Sequence, residues 1–248
     1  MEIKNILVTG VSRGLGIQIV KSLLADGHYC VYGVSRSKTP ELEILLSTYP
    51  DRLKWIGYDL GNVEDIRKVI FKEFIGFDTP LHGFVNNAAV AYDDIVTNLN
   101  YEPLLNMYNV NVFAPMMITK YAIRHFLLHN TKGSIAHLSS ISVHTGYKGL
   151  AMYASSKGAL EAFSKNTARE WGEKGIRSNA LVAGFMETDM SATLTDDQKN
   201  RIYKRTSLKI PTTTRSVAET IKFLLSDMAE SVTAQNIHVD SGTVGLWK

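Results

Sequence analysis

Short apolar runs alternate with segments of helical periodicity along this chain, and that alternation limits the fold more than any other feature of the sequence. The runs that predict strands cover residues 3–8, 29–34, 53–58, 81–85, 134–138, 177–182 and 236–239. Helical spacing of apolar residues predicts helices over 17–25, 41–47, 63–74, 101–128, 196–204 and 217–225, and another that carries Tyr153. Strands that alternate with helices form a parallel sheet covered on both faces. We therefore predict an α/β fold with one doubly wound, seven-stranded parallel sheet.

Length and composition fit one domain over residues 1–248. The chain has 248 residues, of which 45% are hydrophobic, and its six prolines are scattered rather than gathered in a linker. The net charge of +3 is distributed along the chain, so neither nucleic acid nor a membrane surface is an expected partner. A run of about eighteen apolar residues, as a membrane span needs, is not found. The single cysteine, Cys30, is expected to be a buried thiol in a reducing cytosol.

A glycine turn joins the first predicted strand to the first predicted helix. It reads Thr-Gly-Val-Ser-Arg-Gly-Leu-Gly over residues 9–16. Glycines allow a tight turn and let the backbone approach a pyrophosphate, whose charge is favoured by the N-terminus of the following helix. A plain strand-to-helix turn is the alternative, but the order of the elements favours a dinucleotide site of the Rossmann type. Its candidate cofactor-binding residues are Gly10, Ser12, Arg13, Gly14, Leu15 and Gly16.

The residues after the second predicted strand bear on which dinucleotide binds. A site for NAD usually offers an acidic residue there, which accepts hydrogen bonds from the adenine ribose. This chain has Ser-Arg-Ser-Lys over residues 35–38 instead. Arg36 could bind a 2′-phosphate through its planar guanidinium, and Arg13 in the glycine turn is placed to help. We therefore predict that NADP(H) is preferred over NAD(H).

Tyr153 and Lys157 are the candidate catalytic pair. Their spacing of four places both side chains on one face of a helix, one turn apart. An ammonium ~4–6 Å from a phenol typically lowers the phenol pKa by ~1–3 units, which would suit the tyrosine to acid-base chemistry. Ser140, at the end of the fifth predicted strand, could hold a substrate carbonyl. Because Tyr-x-x-x-Lys alone is common, the hypothesis depends on Ser140 as well.

The motifs together resemble the short-chain dehydrogenase/reductase family over essentially the whole chain. The matching residues, in order, are Thr9, Gly10, Gly14, Gly16, Asn86, Asn87, Ala88, Asn111, Ser140, Tyr153 and Lys157. Within that family, residues 167–171, 184–190 and 239–242 look most like 3-oxoacyl-(acyl-carrier-protein) reductases, although relatives that act on sugars, steroids and small ketones share these segments. The resemblance implies a single Rossmann domain and NADP-dependent carbonyl reduction.

The resemblance also implies a role for each matching residue. Tyr153 would be the general acid that protonates the carbonyl oxygen, while Lys157 would lower the tyrosine pKa and bind the nicotinamide ribose. Ser140 would orient the carbonyl, and Asn111 would support a water relay to the lysine. Further cofactor contacts are implied for Asp59, Leu60, Asn87, Ala88, Gly184, Met186 and Thr188.

How the substrate is enclosed and how the chain assembles are likewise implied by the resemblance. Residues 186–209 match a mobile lid, whose mixed polarity fits a partly apolar substrate. The helices predicted over 101–128 and 151–168 match those through which relatives form dimers or tetramers, so a homo-oligomer is expected. Lys132 and Lys174 could form a basic patch that docks an acidic carrier protein.

Three positions depart from the family pattern. The usual Asn-Asn-Ala-Gly ends here in Ala89, the usual Pro-Gly begins with Ala183, and the usual Thr-Gly-Gln has Ala234 at its centre. Each departure places alanine where a small or rigid residue is usual. Since none removes a catalytic group, they bear on local loop geometry more than on activity.

Two other kinds of site are disfavoured by the sequence. The seven histidines show no clustering with cysteine or carboxylates at the spacing of metal ligands, so no metal is expected. Ser139 and Ser140 lack the Gly-x-Ser-x-Gly turn of a serine hydrolase. His144 lies between Ser140 and Tyr153 in the sequence, where it either selects substrates or faces solvent from a loop.

Three hypotheses for function remain. The first is an NADPH-dependent carbonyl reductase whose substrate, small or bound to a carrier, is a 3-oxoacyl thioester. The second is an oxidoreductase of a sugar or polyol, for which Asp93, Asp94 and His144 could supply polar contacts. The third is a dinucleotide-binding protein without turnover, which would not need all four of Asn111, Ser140, Tyr153 and Lys157.

Overall fold

The computed structural model describes residues 3–187 and 195–244. Within them, seven strands form one sheet in the order β3-β2-β1-β4-β5-β6-β7. The strands are β1 (Lys4–Thr9), β2 (Tyr29–Ser35), β3 (Leu53–Gly57), β4 (Gly83–Asn86), β5 (Ser134–Ser140), β6 (Arg177–Ala183) and β7 (Asn236–Val239). Neighbouring strands are parallel throughout. The prediction of a doubly wound sheet of seven parallel strands is confirmed.

Helices follow most strands and cover both faces of the sheet. They are α1 (Gly14–Leu24), α2 (Pro40–Thr48), α3 (Tyr101–Tyr108), α4 (Ala114–Leu128), α5 (Ser142–Thr145), α6 (Ala151–Trp171), α7 (Asp196–Lys204) and α8 (Thr214–Leu225). In β1, Ile6 and Val8 pack on the face covered by α1 and α8, while Leu7 packs on the face covered by α4. Alternate residues of one strand therefore serve two separate cores, as expected of a strand buried on both sides.

Two predicted helices differ from those observed. The helix predicted over 101–128 consists of α3, a π-helical turn over Asn109–Phe113 and α4. Pro115, in the first turn of α4, has no N–H to donate to the carbonyl four residues earlier, so the hydrogen-bond register changes there. The helix predicted over 63–74 is a 3₁₀ turn over Val63–Asp65 followed by a π-helix over Arg67–Ile75. Apolar periodicity locates both segments but does not reveal these register changes.

The carboxyl ends of the parallel strands meet at one rim of the sheet. Gly10 follows β1, Arg36 follows β2, Asn87 follows β4 and Ser140 ends β5. The residues that the sequence places just after strands are therefore brought to the same edge of the molecule. No helix within the described ranges combines the length and the apolar character that crossing a membrane requires.

Candidate active site

A cleft of about 630 Å³ opens at the carboxyl rim. Its lining includes most of the predicted site residues: Gly10, Ser12, Arg13, Gly14, Leu15, Gly16, Arg36, Asp59, Leu60, Asn87, Ala88, Tyr153, Lys157 and Met186. Asn111, Ser140 and Gly184 lie beside the cleft rather than in its lining. The remaining predicted residue, Thr188, and part of the predicted lid lie outside the described residues.

The glycine turn needs its glycines for geometric reasons. Gly10 and Gly14 adopt φ values of +74° and +56°, which are unfavourable for residues with a Cβ. A Cβ on Gly16 would lie 1.8 Å from the carbonyl oxygen of Gly10. The Asn87 side chain braces the turn, because its Nδ2 donates to the carbonyls of Thr9 and Gly10 at 3.0 and 3.1 Å. The turn is thus held open at the N-terminus of α1, a backbone cradle that fits a pyrophosphate.

The wall of the cleft next to the glycine turn is cationic. Arg13 and Arg36 both line the cleft. The loop after β2 is tied to the glycine turn, since Thr39 Oγ1 donates to the carbonyl of Ser12 at 2.6 Å. The first turn of α1 contains no acidic residue. This wall can therefore hold the negative charge of a dinucleotide, including a 2′-phosphate.

Lys157 is buried against β5. Its side chain comes from α6, and only 2% of the residue is exposed. The Nζ atom donates to the carbonyl of Leu138 at 2.8 Å and lies 5.8 Å from the centre of the Tyr153 ring. Burial lowers the pKa of Lys157 to about 8. The adjacent His137 stays neutral, because burial and then the charge of Lys157 lower its pKa to about 3.

The pKa of the Tyr153 phenol is shifted in the direction opposite to that expected from the sequence. Burial, and after it the negative charge of Asp93, raise the pKa of Tyr153 to about 12. The expected lowering by Lys157 is therefore wrong for this site, since desolvation of the phenolate dominates. Burial also raises the pKa of Asp93. The phenol accordingly keeps its proton at neutral pH and can act as an acid.

Ser140 is positioned by a serine that the sequence analysis overlooked. Its Oγ accepts one hydrogen bond from the backbone N–H of Ser142 at 3.2 Å and another from the Oγ of Ser142 at 3.0 Å. Ser142 opens the short helix α5, which was not predicted. The Ser-x-Ser spacing in the sequence was the available signal.

Asn111 lies in the π-helical turn, where both ends of its amide are occupied by protein. Its Oδ1 accepts from the backbone N–H of Val90 at 2.9 Å, and its Nδ2 donates to the Val90 carbonyl at 2.9 Å and to Ser156 Oγ at 3.1 Å. The residue is fully buried. Its side chain thus joins the loop after β4 to α6, which places it beside the cleft as a brace.

Glu161 is a buried carboxylate that the sequence analysis did not single out. It lies one turn after Lys157 on α6 and is 6% exposed. It accepts hydrogen bonds from Ser139 Oγ, from His144 Nε2 at 3.1 Å and from Asn236 Nδ2 at 2.5 Å. His144 therefore lies in a short helix and hydrogen-bonds to the Glu161 carboxylate, rather than lying in a loop. The spacing of four after Lys157 was a signal for a third side chain on the same face.

The topology bears on the predicted basic patch of Lys132 and Lys174. Lys132 and Lys174 precede β5 and β6, so they lie at the amino ends of the strands. A strand of seven residues spans ~20 Å, which places these lysines far from the cleft. The proposed basic patch therefore lies at the end of the sheet opposite the cleft, and the docking of a carrier protein by these lysines stays a prediction.

His125 and His129, one helical turn apart at the C-terminal end of α4, form a pair of rings. The rings of His125 and His129 are 5.9 Å apart, and His125 also packs against Phe71 at 5.4 Å. Burial is the main cause of a lowered pKa of His125. Within residues 3–187 and 195–244, no group of three or more His, Cys, Asp or Glu side chains could hold a metal ion.

Comparison with known proteins places these features in a family. The family model described as Enoyl-(Acyl carrier protein) reductase matches residues 10–244. L-xylulose reductase of Caenorhabditis elegans is 31% identical over 241 residues, which are 96% of this chain and 95% of the relative. The 3-oxoacyl-(acyl-carrier-protein) reductase FabG of Escherichia coli (strain K12) is 30% identical over 242 residues, 97% of each chain. The solved structure of ElxO with NADP bound is 27% identical, with a TM-score of 0.88 over 99% of this chain and 100% of the other.

These similarities run the length of the fold. The matched range begins in the glycine turn and ends after β7, so it contains the cleft and both faces of the sheet. The relatives act on different substrates by name, yet each aligns with nearly the whole chain. What the comparisons show in common is sequence similarity over nearly the whole chain and, for ElxO, the same fold. The chain belongs to the short-chain dehydrogenase/reductase family of oxidoreductases.

Proposed function

We propose that this protein is an NADPH-dependent reductase that converts a ketone into a secondary alcohol, with a 3-oxoacyl thioester as its substrate. The observation that carries the proposal is the pair on α6, in which the Tyr153 phenol and the Lys157 ammonium both line the dinucleotide-type cleft. Ser140 lies at the end of the adjoining strand β5. The thioester is supported by similarity to FabG of Escherichia coli.

The chain's own residues suit NADP(H). The pyrophosphate would rest on the glycine turn, with adenine beside Asp59 and Leu60 and its ribose beside Asn87 and Ala88. Arg13 and Arg36 would bind the 2′-phosphate, and Gly184, Met186 and Thr188 would hold the nicotinamide end. The preference for NADP(H) is supported by the two arginines in the cleft wall and by ElxO, which is solved with NADP bound. When bound, the nicotinamide supplies the hydride.

The proton would come from Tyr153. Because the pKa of the phenol is raised to about 12, the group is protonated at neutral pH and can donate to the carbonyl oxygen as negative charge develops there. Lys157, fixed by the Leu138 carbonyl, would place a positive charge next to the developing phenolate and bind the nicotinamide ribose. The buried lysine thus stabilises the charged product of proton transfer.

Carbonyl orientation and proton supply would involve two further residues. Ser140 would donate a hydrogen bond to the carbonyl and orient it towards the cofactor. Asn111 would support a relay of water to Lys157. The Asn111 side chain is already hydrogen-bonded to Val90 and Ser156. We therefore assign the contact with the relay water to the backbone of Asn111, which these hydrogen bonds fix in place.

A sugar or polyol substrate is a second candidate, and one observation favours it. Asp93 lies close enough to the phenol for its charge to raise the pKa of Tyr153, and its carboxylate makes no hydrogen bond within the described part of the chain. A carboxylate in this position could accept hydrogen bonds from substrate hydroxyl groups. The L-xylulose reductase of Caenorhabditis elegans is 31% identical to this chain.

We also propose that the chain forms a homo-oligomer through α3, α4 and α6. Tyr101 and Leu105 on α3 are 71% and 39% exposed, and Phe113, in the π-helical turn before α4, is 42% exposed. Large apolar side chains exposed along one stretch are typical of an interface. Size-exclusion chromatography with light scattering would give the mass, and a monomer at all concentrations would contradict the proposal.

The proposed function is tested by the loss of NADPH absorbance with purified protein. The substrates are an acetoacetyl thioester, L-xylulose, a cyclic ketone and a 1,2-diketone, each also assayed with NADH. We expect turnover of the thioester with NADPH preferred. Turnover of L-xylulose alone would favour the second candidate. Tight NADPH binding without turnover of any substrate would contradict the reductase proposal and favour a dinucleotide-binding protein.

A further inference from the structure

The hydroxyl of Ser140 has both of its acceptor positions engaged by one neighbouring residue. Ser142 donates from its backbone N–H at 3.2 Å and from its Oγ at 3.0 Å. A serine hydroxyl has one hydrogen and two lone pairs. With two donors directed at its oxygen, the Ser140 hydroxyl can form one further hydrogen bond, by donating its own hydrogen.

This matters because a substrate carbonyl oxygen can only accept hydrogen bonds. A serine whose hydrogen was already donated to a nearby protein oxygen would meet the carbonyl with a lone pair and repel it. No described residue accepts a hydrogen bond from the Ser140 hydroxyl. Ser140 is therefore prepared as a donor before substrate arrives, which is the state that stabilises a carbonyl as it gains negative charge.

The neighbouring serine shows the opposite arrangement. Ser139 precedes Ser140 on β5, so its side chain points to the other face of the sheet. Its hydroxyl donates to the buried carboxylate of Glu161. Ser139 is among the residues that line the cleft, but its hydroxyl has no hydrogen left for a substrate, whereas the hydrogen of Ser140 is not donated to any described residue.

Ser142 itself is well fixed. It is 4% exposed and is the first residue of α5, so its N–H belongs to the first turn of a helix, where backbone donors lack partners within the helix. We propose that Ser142 is a positioning residue that commits the Ser140 hydroxyl to donating towards the substrate carbonyl. The inference rests on the proposed role of Ser140 in carbonyl reduction.

A double-mutant cycle tests this inference. Ser140→Ala, Ser142→Ala and the double variant are compared with wild type for kcat and KM in NADPH-dependent reduction. Removing a donor to a developing oxyanion costs roughly 10²–10³ in kcat, which we expect for Ser140→Ala. We expect Ser142→Ala to lower kcat about tenfold, since one hydrogen bond is lost while the backbone N–H remains. Once Ser140 is alanine, the second change should alter kcat by less than about twofold.

Control variants separate positioning from general damage. Ser164 and Ser178 form another buried serine pair at 2.8 Å, and Ser164→Ala should leave kcat unchanged. NADPH affinity should be the same in every variant. Ser142→Thr keeps the hydroxyl donor and should restore most of the rate, while Ser142→Cys provides a second variant if the alanine variant does not fold.

Each outcome bears on a separate claim. If Ser140→Ala keeps its rate, the proposed role of Ser140 fails, and the inference fails with it. If Ser140→Ala loses its rate but Ser142→Ala does not, only the inference is overturned. Losses that multiply in the double variant, or weakened NADPH binding in Ser142→Ala, would mean that Ser142 acts independently of Ser140 and would also overturn it.

Discussion

The ammonium of Lys157 lies 5.8 Å from the centre of the Tyr153 ring, while its hydrogen bond goes to the carbonyl of Leu138 at 2.8 Å. Burial lowers the pKa of Lys157 to about 8, and burial together with Asp93 raises that of Tyr153 to about 12. At neutral pH the pair therefore holds both protons. This state suits donation of a proton to a carbonyl better than removal of a proton from an alcohol.

Asp93→Asn should make the reverse reaction easier at lower pH. Oxidation of the alcohol needs Tyr153 as a base, and the negative charge of Asp93 disfavours the phenolate. Removing that charge lowers the pKa of Tyr153, so the rise of the oxidation rate with pH should move down by about one unit. The measurement is kcat/KM for alcohol oxidation with NADP⁺ against pH.

Asp94→Asn is the matched control for this pH profile. The Asp94 carboxylate is engaged locally, because it accepts from the Ile95 N–H at 2.8 Å and from Asn98 Nδ2 at 3.1 Å. It should leave the profile in place. A profile of Asp93→Asn that did not move, or that moved to higher pH, would show that Asp93 does not act on the phenol.

Arg36→Ser should reduce the preference for NADPH. The guanidinium lines the cleft just after β2 and is proposed to bind the 2′-phosphate. A hydrogen bond to a charged group is worth about 1.5–3 kcal/mol, so kcat/KM with NADPH should fall about 10- to 100-fold. NADH lacks that phosphate and serves as the internal control, with an expected change below about twofold. Equal losses of kcat/KM with NADPH and NADH would show that Arg36 does not act through the 2′-phosphate.

Ala234→Gly should stabilise the protein. Ala234 has φ +60°, a left-handed conformation that costs a residue with a Cβ roughly 1–2 kcal/mol. Glycine relieves this strain but adds about 0.4–1 kcal/mol of unfolded-state entropy. The net gain of about 0.5–1 kcal/mol should raise Tm by about 1–4 °C.

The control for Ala234→Gly is a substitution of the same kind in a regular helix. Ala162 is exposed within α6, where glycine costs about 1 kcal/mol relative to alanine. Ala162→Gly should therefore lower Tm in thermal unfolding followed by circular dichroism. If both variants lowered Tm equally, Ala234 would carry no backbone strain that glycine relieves, and the prediction would be wrong.

The seven strands, their parallel direction and the rim that carries the cleft could be predicted from the sequence because they follow from local patterns, whereas the spatial order of the strands was not predicted. Apolar runs predicted the strands, and the carboxyl ends of parallel strands necessarily lie at the same edge of the sheet. The π-helical turn before Pro115 was missed, since periodicity over a long apolar helix does not report a change of hydrogen-bond register.

Within the site, residues that belong to sequence motifs were found and their partners were not. Tyr153 and Lys157 can be recognised from their spacing of four in the sequence. The partners of Ser140 and Glu161 are defined by contacts between separate elements, which the sequence does not reveal. The direction of the Tyr153 pKa shift was also misjudged. Burial of the phenol depends on packing that no local spacing encodes, and burial, followed by the charge of Asp93, raises the pKa of Tyr153.

Whether Tyr153 is the proton donor can be decided by comparing wild type with Tyr153→Phe in two assays on the same samples. NADPH consumption with the best carbonyl substrate reports turnover, and a fluorescence titration reports NADPH affinity. Loss of a general acid lowers turnover by about 10²–10⁴, so we predict near-complete loss of consumption with NADPH affinity almost unchanged. A Tyr153→Phe protein that retained most of its rate would contradict the proposed mechanism.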